Sequence, residues 1–530
     1  MECSAIRVSA RFVIIGIEDG GLYHTAERYE YTAVPMGNAA VPEAETVSGH
    51  TDLAVTMISS LMPDMVYQMS IWSRSQAPVT LTVHTEKESV TLNVRSFGAR
   101  GDGISDDTLA IQTAISVCPR DGRVLVPAGC YQVTSLFLKS HVRLEIAENA
   151  QLCGTKDADR LPVLPGRTES YDEKSEYLLG SFEGNPISQY ASMLTAVSVE
   201  DCIVYGRGTL NGNADFTDWW DMRRWKTDFT AARPNMIFWS HSKDMLLAGL
   251  KVINSPMWTL HPYYSSRVDI MAVTVENPWN SHNTDGLDPE SCDGMNILGV
   301  RFSLGDDCIA IKSGKIYMGR KYKKPSENIL IAHCLMERGH GAVTIGSENA
   351  GGVRQIRVEK CLFRDTDRGL RIKSRRGRGK DSVLKDISFA QIRMEHVLTP
   401  FVLNCFYFCD PDGKTDYVQS RDKLPVDDRT PQIGSMQFSD IECIDTEYAA
   451  AYFLGLPEKP AGRITMEHVH VSYKEDAGSG IPVMACGISE VSRMGIHAEN
   501  VEQLVLKDVT LDGCEGEAVS AVNTAVVQEG

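Results

Sequence analysis

Four short polar motifs follow one another between residues 283 and 373 of this 530-residue chain. In chain order they are Asn283-Thr284-Asp285-Gly286, Gly305-Asp306-Asp307, Gly339-His340-Gly341 and Arg371-Ile372-Lys373. Together they supply three carboxylates, one imidazole and two cations. Paired carboxylates protonate the leaving oxygen and activate water when a glycosidic bond is hydrolysed, and neighbouring cations suit a sugar that carries its own carboxylate. The combination predicts cleavage of a glycosidic bond next to an acidic sugar.

The carboxylates have a spacing that would bring them together. Asp285 and Asp306 are 21 residues apart, close to the length of one coil in a repeat of stacked strands, and Asp307 follows directly. Equivalent positions on stacked coils lie about 4.8 Å apart, so these groups can face one groove. Carboxylates this close cannot all ionise freely, so we expect one raised pKa, which supplies a general acid beside ionised neighbours that activate water. For the first motif alone, an Asp-rich turn with local hydrogen bonds is the alternative.

The last motif would place two cations on one wall of the groove. On a strand, alternate residues share a face, so Arg371 and Lys373 point the same way while Ile372 enters the core. Two such cations suit a uronate carboxylate, which arginine can bind with two hydrogen bonds. Further cations downstream either extend this positive charge or form a solvated basic loop; they are Arg375, Arg376, Arg378 and Lys380.

The elements that would position these motifs form a repeat. One apolar position recurs in similar strand contexts, in steps of roughly 23 to 34 residues with longer steps where loops intrude. The recurring residues are Leu250, Val273, Val300, Cys334, Cys361, Ile392, Ile441, Val469 and Val509. Irregular β-rich units favour a parallel β-helix, in which each coil buries its apolar side against the next. An antiparallel sandwich array is the alternative, although Asn-Gly hairpin turns are scarce.

The N-terminal part of the chain has a different pattern. Short alternating runs such as 6–12 and 79–83 predict a small β-sandwich within residues 1–88. Asp106-Asp107-Thr108 can then begin a helix. Its apolar face would cover the open end of a β-helix with Ala110, Ile111, Ala114 and Ile115. We therefore predict two domains, residues 1–88 and residues 89–530.

Composition narrows the possible partners and the location. The formal net charge of −17 argues against general nucleic-acid binding. The chain contains no run of about 18 apolar residues, so no membrane span is predicted. Glu2 and the brief apolar run at 12–17 do not make a secretory signal, and the cysteines show no regular framework. We read Cys334 and Cys361 as small, buried and reduced. A cytoplasmic location is predicted; a signal removed from the chain would make it secreted instead.

The four motifs, in this order, resemble the signature of glycoside hydrolase family 28, the polygalacturonases. The segment 94–108 resembles the entry cap of pectin-degrading β-helices and phage tailspikes. Residues 1–88 resemble the fibronectin type III-like module ahead of some bacterial exo-acting members. The resemblance covers about residues 90–520. It implies an all-β protein with a right-handed parallel β-helix behind a fibronectin type III-like β-sandwich.

The resemblance also implies a role for each site residue. Asp306 would be the general acid, and Asp285 with Asp307 would activate water, with inversion at the anomeric carbon. His340, which its two glycine neighbours leave exposed, would support the protonation state of the acid and contact the sugar. The substrate-binding residues would be Arg371, Lys373 and Asn283. No cofactor would be required.

The implied substrate is an α-1,4-linked galacturonan or its oligomers. A basic insert between Gly314 and Glu327 resembles loops that wall off one end of the groove, which favours exo-cleavage from the non-reducing end. The Gly-His-Gly motif favours homogalacturonan over rhamnogalacturonan, while rhamnogalacturonan and xylogalacturonan hydrolases stay as alternatives. Four tryptophans either stack on sugars or pack in the core; they are Trp219, Trp220, Trp258 and Trp279.

Two further alternatives use the same fold without glycoside hydrolysis. A pectate lyase would bind Ca²⁺ through its carboxylates and remove a proton with an arginine. A non-catalytic carbohydrate-binding β-helix, such as an adhesin, would bind an oligosaccharide without turnover and would not need the three aspartates together with His340. The oligomeric state is left open by the sequence.

Overall fold

The computed structural model describes residues 1–36, 45–167, 177–221 and 233–529, and strands dominate all of these segments. The α-helices among them are Thr108–Val117, Ile316–Tyr322 and Asp416–Gln419. The 3-10 helices are Val94–Phe97 and Ala158–Arg160. None of the helices in the described segments is both long enough and apolar enough to cross a membrane. The predicted all-β class is confirmed.

The N-terminal strands form two antiparallel sheets that pack face to face. Numbered along the chain, the strands have the order 1-2-5 in one sheet and 4-3-6-7 in the other. Their bounds are Glu2–Val8, Phe12–Glu18, His24–Pro35, Val47–Leu53, Val55–Ser59, Val66–Trp72 and Val79–His84. Alternation along each strand buries one face, as with Tyr67, Met69 and Ile71. This is the predicted fibronectin type III-like β-sandwich.

From Thr91 onward the chain winds into coils of parallel strands, which stack in three faces of a right-handed parallel β-helix. The strands of face one are Thr91–Asn93, Arg123–Val126, Arg143–Ile146, Glu200–Gly206, Lys243–Ala248, Ser266–Met271, Asp293–Leu298, Ser326–Ala332, Val353–Glu359, Val383–Glu395, Gln432–Ile433, Met436–Thr446, Ala461–Tyr473, Val501–Asp512 and Ala525–Glu529. Its later strands are long enough to continue into face two.

Faces two and three complete each coil. The strands of face two are Asp102–Asp106, Gly129–Val133, Ala150–Gly154, Thr209–Asn211, Lys251–Ile253, Thr274–Glu276, Arg301–Leu304, Leu335–Arg338 and Leu362–Arg364. The strands of face three are Leu136–Phe137, Leu194–Val197, Ile237–Ser240, Leu260–Tyr263, Ile309–Ile311, Val343–Ile345, Arg368–Lys373, Thr399–Asn404, Ala449–Leu454, Met494–Glu499 and Glu515–Val522. Short hairpin strands beside the coils are Val163–Leu164, Gly166–Arg167, Tyr177–Leu178, Ser181–Phe182, Asn185–Pro186 and Gln189–Tyr190.

The predicted repeat positions form the core of this stack. Eight of the nine are buried, and only Val509, on a late coil, is partly exposed. Ile392, Ile441 and Val469 pair directly with one another down the ladder, and Val509 follows in the same register. Burying an aliphatic side chain of this size stabilises the fold by about 1.5–3 kcal/mol. The repeat identified from the sequence is therefore the stacking unit of the β-helix.

The first coil is covered by the helix Thr108–Val117, as predicted. Ile111, Ala114 and Ile115 are buried against the core. The capping contact differs from the expectation in detail. The carboxylate of Asp107 accepts backbone N–H groups of Arg100 and Gly101, while Asp106 accepts the N–H of Thr108 at 3.0 Å.

The sandwich docks on the outside of face one. Phe12 and Met57 pack with Tyr205 and Met271 in one apolar cluster. The last sandwich strand ends at His84 and the first strand of the β-helix begins at Thr91. A domain boundary between residues 88 and 89 stays our proposal.

Candidate active site

The four motifs lie on consecutive coils; the first three lie at the corner where face two turns into face three, and the fourth lies on the face-three strand Arg368–Lys373. Leu287, Ile309, Val343 and Leu370 pair in register down face three. Two residues before each of them stand Asp285, Asp307, Gly341 and Arg368. One residue earlier again, three polar side chains stack: Asp306, His340 and Asp367. The prediction that carboxylates from neighbouring coils face one site is confirmed, since Asp307 lies one coil above Asp285.

Three carboxylates meet at this corner. Asp285, Asp306 and Asp307 each place an oxygen within 4.8 Å of the others. Asp285 and Asp307 are buried, whereas Asp306 is partly exposed. The backbone fixes Asp306, because its two oxygens accept N–H groups from Asn283 at 3.2 Å and from Asp307 at 2.9 Å. Asp306 is thus the member of the trio that is both oriented and open to a ligand.

The three carboxylates differ in how strongly their surroundings favour the protonated form. Burial raises the pKa of Asp285 well above its ordinary value, and the neighbouring Asp306 raises it further. The expectation of one raised carboxyl pKa in the trio is confirmed, and the raised pKa belongs to Asp285, for which desolvation by burial is the largest cause. With the oxygens this close, a proton held by Asp285 is within reach of Asp306.

Asp307 has the opposite environment. Arg371 Nη1 donates to its Oδ1 at 2.9 Å, and Lys373 Nζ donates to its Oδ2 at 2.7 Å. Burial alone would raise the pKa of Asp307, but Lys373 and Arg371 outweigh burial and hold that pKa well below its ordinary value. Ile372 between them is buried in the core, as predicted. The two cations therefore favour the ionised form of Asp307, whereas burial favours the protonated form of Asp285.

Gly341 leaves the space through which Arg371 reaches Asp307. The strand of Arg371 is two coils away from Asp307, with Gly341 on the coil between them. A Cβ on Gly341 would lie 2.9 Å from Asp307 Oδ1 and 3.3 Å from Arg371 Cδ. Gly339 serves a different purpose, since its φ of 86° is one that other residues rarely adopt. Gly341 is thus required because a side chain there has no space, and Gly339 is required by its backbone conformation.

His340 is exposed, as predicted, and it has a partner that the sequence analysis missed. Its Nδ1 lies 2.8 Å from Asp367 Oδ2. The hydrogen bond with Asp367 raises the pKa of His340 against the opposing effect of burial, and Asp306 adds to the rise. The signal for Asp367 was the register, since it stands one coil beyond His340 at the equivalent position. The protonated imidazole would add a positive charge beside Asp306.

A second charged cluster surrounds Lys312, which lines the cleft, and the sequence analysis missed it too. Lys312 Nζ lies 3.4 Å from Asp288 and 3.3 Å from Glu348, and it sits 4.5 Å from the centre of the Trp258 ring. Burial raises the pKa of Asp288 to about 8, despite the opposing effect of Lys312. Burial would also raise the pKa of Glu348, but Lys312 outweighs it and lowers that pKa.

Asn283 and Arg233 support the first motif. The guanidinium of Arg233, which is buried, donates to Asn283 Oδ1 at 2.9 Å and to the carbonyl oxygen of His282 at 2.9 Å. Burial lowers the pKa of Arg233 to about 10, and nearby Asp285 limits the fall. The amide oxygen of Asn283 therefore already has a donor, and its contact with a substrate stays a prediction.

The cations after Lys373 do not continue the positive surface. Arg375, Arg376 and Arg378 are buried in ion pairs, so neither a solvated loop nor free positive charge describes them. Arg376 lies 2.6 Å from Glu458, and Arg378 lies 2.7 Å from Asp410. Lys380, by contrast, is exposed. The three arginines are neutralised by carboxylates that the sequence places far downstream.

These groups line a cleft of about 420 Å³. The lining also includes Glu183 and Asp410, which both lie close to Lys315 Nζ, together with Tyr407 and the segment 482–484. Arg368 holds that segment in place by donating to the carbonyl oxygens of Ile481 at 2.7 Å and Pro482 at 2.9 Å. Its positive charge faces carbonyl groups rather than carboxylates, so it can still attract an anion.

The basic insert contacts the lining of the cleft through Glu183 and Asp410. Its helix Ile316–Tyr322 does not line the cleft among the residues that the structure describes. Instead Met318 packs in an apolar cluster outside face three, and the backbone N–H of Lys315 donates to Gly184 at 2.9 Å. Lys315 Nζ lies 3.4 Å from Glu183. The insert therefore supports the hairpin whose tip, Glu183, reaches the cleft, which corrects the expectation that the insert itself forms the wall.

Three of the four tryptophans named from the sequence are buried, and one is exposed. Trp219, Trp220 and Trp258 are buried, although Trp258 also borders the cleft. Trp279 is 70% exposed. Core packing accounts for the first two, and Trp279 is the one with a free ring face.

All fourteen cysteines are free thiols, and Cys334 and Cys361 are buried as predicted.

Comparisons with known proteins point in one direction. Residues 123–487 match the model of the family described as glycosyl hydrolases family 28. A probable polygalacturonase from Vitis vinifera is 29% identical over 383 residues, which cover 71% of this chain and 73% of that protein. An exo-poly-alpha-D-galacturonosidase from Dickeya chrysanthemi is 26% identical over 383 residues, covering 64% of this chain and 61%, less than two thirds, of that protein.

Solved structures share the fold. The family 28 exopolygalacturonase of Yersinia enterocolitica covers 99% of this chain and 98% of its own, with a TM-score of 0.69 at 17% identity. The hyperthermoactive exopolygalacturonase of Thermotoga maritima covers 80% of this chain and 92% of its own, with a TM-score of 0.63 at 23% identity. At these identities the likeness establishes the architecture alone.

Proposed function

The chain belongs to glycosyl hydrolases family 28, and from this premise we propose that it hydrolyses α-1,4-galacturonosyl linkages of polygalacturonate or its oligomers from the non-reducing end. One observation carries the proposal. An oriented, accessible Asp306 lies within 4.8 Å of Asp285, whose raised pKa favours its protonated form, and of Asp307, whose ionised form is favoured by two cations. This is the charge distribution that acid-assisted glycosidic cleavage needs.

In the proposed reaction, Asp306 gives its proton to the glycosidic oxygen as the bond from that oxygen to the anomeric carbon breaks. A water molecule held by Asp285 and Asp307 attacks the anomeric carbon, and Asp307 takes up the proton that the water releases. His340, charged through its contact with Asp367, contacts the sugar and influences the protonation of Asp306. The products are two saturated sugars, and no cofactor enters the reaction.

The dependence of the rate on pH follows from the two opposite pKa shifts. The site must keep one proton for the acid, and burial raises the pKa of Asp285, so a proton there is retained above the ordinary carboxyl value of about 4. The ionised Asp307 persists below that value. We expect kcat/KM to be broad across the acidic range and to fall as pH rises through the raised pKa of Asp285. A rate that keeps climbing into alkaline pH would contradict this assignment of the acid.

We also propose that Arg371 and Lys373 bind the uronate carboxylate of the substrate. Arg371→Gln is expected to raise KM for galacturonides by about 10-fold or more, because a hydrogen bond to a charged group contributes about 1.5–3 kcal/mol. Because Arg371 also holds Asp307, kcat should fall as well. Arg463→Gln, at an arginine on a distant coil, is the matched control. An unchanged KM in Arg371→Gln would remove the residue from substrate binding.

Exo-action is supported by the exo-poly-alpha-D-galacturonosidase relative, and we propose that Glu183, Asp410 and Tyr407, which line the cleft, close one of its ends. The expected result of a time course on polygalacturonate, and on a defined galacturonic-acid oligomer, is early accumulation of one short saturated product. The Asp306→Asn variant should release none of it. A spread of intermediate oligomers would instead show endo-cleavage and an open cleft.

The lyase alternative is less well supported by the site. Ca²⁺ takes six to eight oxygen ligands, whereas both oxygens of Asp307 accept hydrogen bonds from Arg371 and Lys373. A lyase would lose activity with a chelator and would form unsaturated products that absorb in the ultraviolet. Turnover of rhamnogalacturonan or xylogalacturonan but not of polygalacturonate would favour those hydrolases. Oligosaccharide binding without any turnover would favour the adhesin-like alternative.

The partner in this proposal is an acidic oligosaccharide or polysaccharide, and no nucleic acid or membrane is involved. We keep the cytoplasmic location as a prediction, with imported oligogalacturonides as the substrate there. Fractionation of the source cells, with detection of the chain in each fraction, tests it. Recovery from the medium or the cell surface would overturn it.

A further inference from the structure

A second groove adjoins the catalytic cleft. It encloses about 560 Å³, and it shares His340 and Asp367 with the cleft. The remaining lining comes from the corner turns of four coils; these residues include Trp279, Gly305, Arg338 and Asp365. The groove therefore adjoins the cleft at His340 and Asp367, and its lining does not include Glu183.

Trp279 is exposed on a turn that is held rigidly. A Cβ at Gly305 would lie 2.6–2.7 Å from the carbonyl oxygens of Pro278, Trp279 and Ser281. Within the turn, Ser281 Oγ donates to the carbonyl of Pro278 at 2.7 Å, and it also lies 2.7 Å from the hydroxyl of Thr284. The glycine of the Gly-Asp-Asp motif thus lets the tryptophan turn pack directly against the catalytic coil.

Trp279 differs from the other three tryptophans because its indole ring is fixed in place and yet exposed to solvent. Trp279 leaves 70% of its surface open, whereas Trp219, Trp220 and Trp258 are at most 4% exposed. Its ring contributes nothing to the core at that position. A flat apolar face with restricted freedom is suited to stack on the C–H face of a sugar ring at little entropic cost.

Arg338 supplies the charge that a uronate would need. It is exposed, it lines the same groove, and it has no ion pair within the part of the chain that the structure describes. The two carboxylates of the groove are matched by histidines. Asp367 contacts His340 at 2.8 Å, and Asp365 contacts His396 at 3.1 Å. Arg338 is therefore the charged group of the groove that has no partner of opposite charge among the residues that the structure describes.

We propose that Trp279 and Arg338 form a binding site for the galacturonan residues that extend from the scissile bond away from the closed end of the cleft. Trp279 stacks on one of these sugar rings, and Arg338 binds a uronate carboxylate. The inference rests on the proposed function. It adds the direction of the chain: the terminal residue enters the closed end, and the leaving chain lies over Trp279.

The proposal is tested by the dependence of kcat/KM on chain length, measured with galacturonic-acid oligomers from two to six residues and with polygalacturonate. We expect Trp279→Ala to raise KM about 3- to 10-fold on the long substrates, with a smaller effect on each shorter one, because aromatic contacts of this kind are modest. Arg338→Gln should show the same trend. Phe137→Ala, which removes an exposed aromatic ring on a remote coil of face three, is the matched control and should behave like the wild type at every length.

Two outcomes would overturn the inference while leaving the proposed function intact. In one, the wild type cleaves all these substrates and the Trp279→Ala variant has the same KM as the wild type at every chain length. The other is a loss in that variant that is equal for the disaccharide and the polymer, which would indicate a local disturbance of Asp306 instead. An inactive wild type would instead count against the proposed function itself.

Discussion

Asp306→Asn is expected to fold normally and to turn over polygalacturonate about 10²- to 10⁴-fold more slowly than the wild type, the usual contribution of a positioned general acid. Asparagine cannot release a proton to the leaving oxygen. Its side-chain oxygen can still accept one of the two backbone N–H groups that hold Asp306, from Asn283 or Asp307. The loss should therefore be in kcat, with KM little changed.

The matched control for this variant is Asp508→Asn. Asp508 is exposed on one of the last coils and has a φ of 48°, a conformation that asparagine also tolerates. It should leave both kcat and stability unchanged. A near-normal rate for Asp306→Asn would mean that another group protonates the leaving oxygen, and the raised pKa of Asp285 would make that residue the next candidate.

Lys373→Met is expected to destabilise the fold by about 3 kcal/mol at neutral pH and to reduce turnover. Breaking a buried ion pair by removing one partner costs about 3–5 kcal/mol, and we expect the lower end because Arg371 still contacts Asp307. The Lys373 side chain is 10% exposed and that of Asp307 is 1% exposed, so solvent screens the pair only weakly. Equilibrium unfolding in denaturant measures the loss.

The effect of this variant should depend on pH in a definite direction. Burial raises the pKa of Asp307, but Lys373 and Arg371 lower it below its unfolded value. Its contribution to stability is therefore full above the unfolded pKa of about 4 and is lost as pH falls through the folded pKa. The stability gap between wild type and Lys373→Met should narrow below about pH 4.

Lys380→Met is the control for Lys373→Met, because Lys380 is exposed. It should change stability by less than about 0.5 kcal/mol. A gap between Lys373→Met and the wild type that is constant from pH 3 to pH 7 would show that the loss comes from packing rather than from the ionised state of Asp307.

The β-helix itself could be predicted because its repeat lies in local sequence. Each recurring apolar position pairs with its equivalent on the next coil, so one period predicts the strands and the stacking together. The same register brings Asp285 and Asp307 to one corner. The sandwich was also predictable from period-two alternation, since one face of each sheet is buried.

The parts that were missed depend on contacts between distant segments. The arginines after Lys373 find their carboxylates at Asp410 and Glu458, and no local pattern links these positions. Likewise, the hairpin that carries Glu183 reaches the cleft from more than a hundred residues upstream of Asp285 and Asp307. Loop closures of this length leave no periodic signal, so the shape of this part of the cleft could not be derived from the insert alone.

The stereochemical outcome is the least obvious consequence of the geometry. Inverting enzymes usually separate their carboxyl groups by about 6.5–9.5 Å, and retaining enzymes by about 5–5.5 Å. Here oxygens of all three carboxylates lie within 4.8 Å of one another. Both oxygens of Asp307 nevertheless accept hydrogen bonds from cations, and burial raises the pKa of Asp285, which favours its protonated form. Neither group is a free nucleophile, so activation of water and inversion are expected.

The most direct test is to follow the anomeric protons by nuclear magnetic resonance while the enzyme cleaves a defined α-1,4-galacturonic-acid oligomer. Acid-assisted hydrolysis by the three aspartates predicts that the β-anomer of the new reducing end appears first and then equilibrates with the α-anomer. First appearance of the α-anomer would show retention and make one carboxylate a nucleophile. Olefinic signals from an unsaturated sugar would show elimination and contradict hydrolysis altogether.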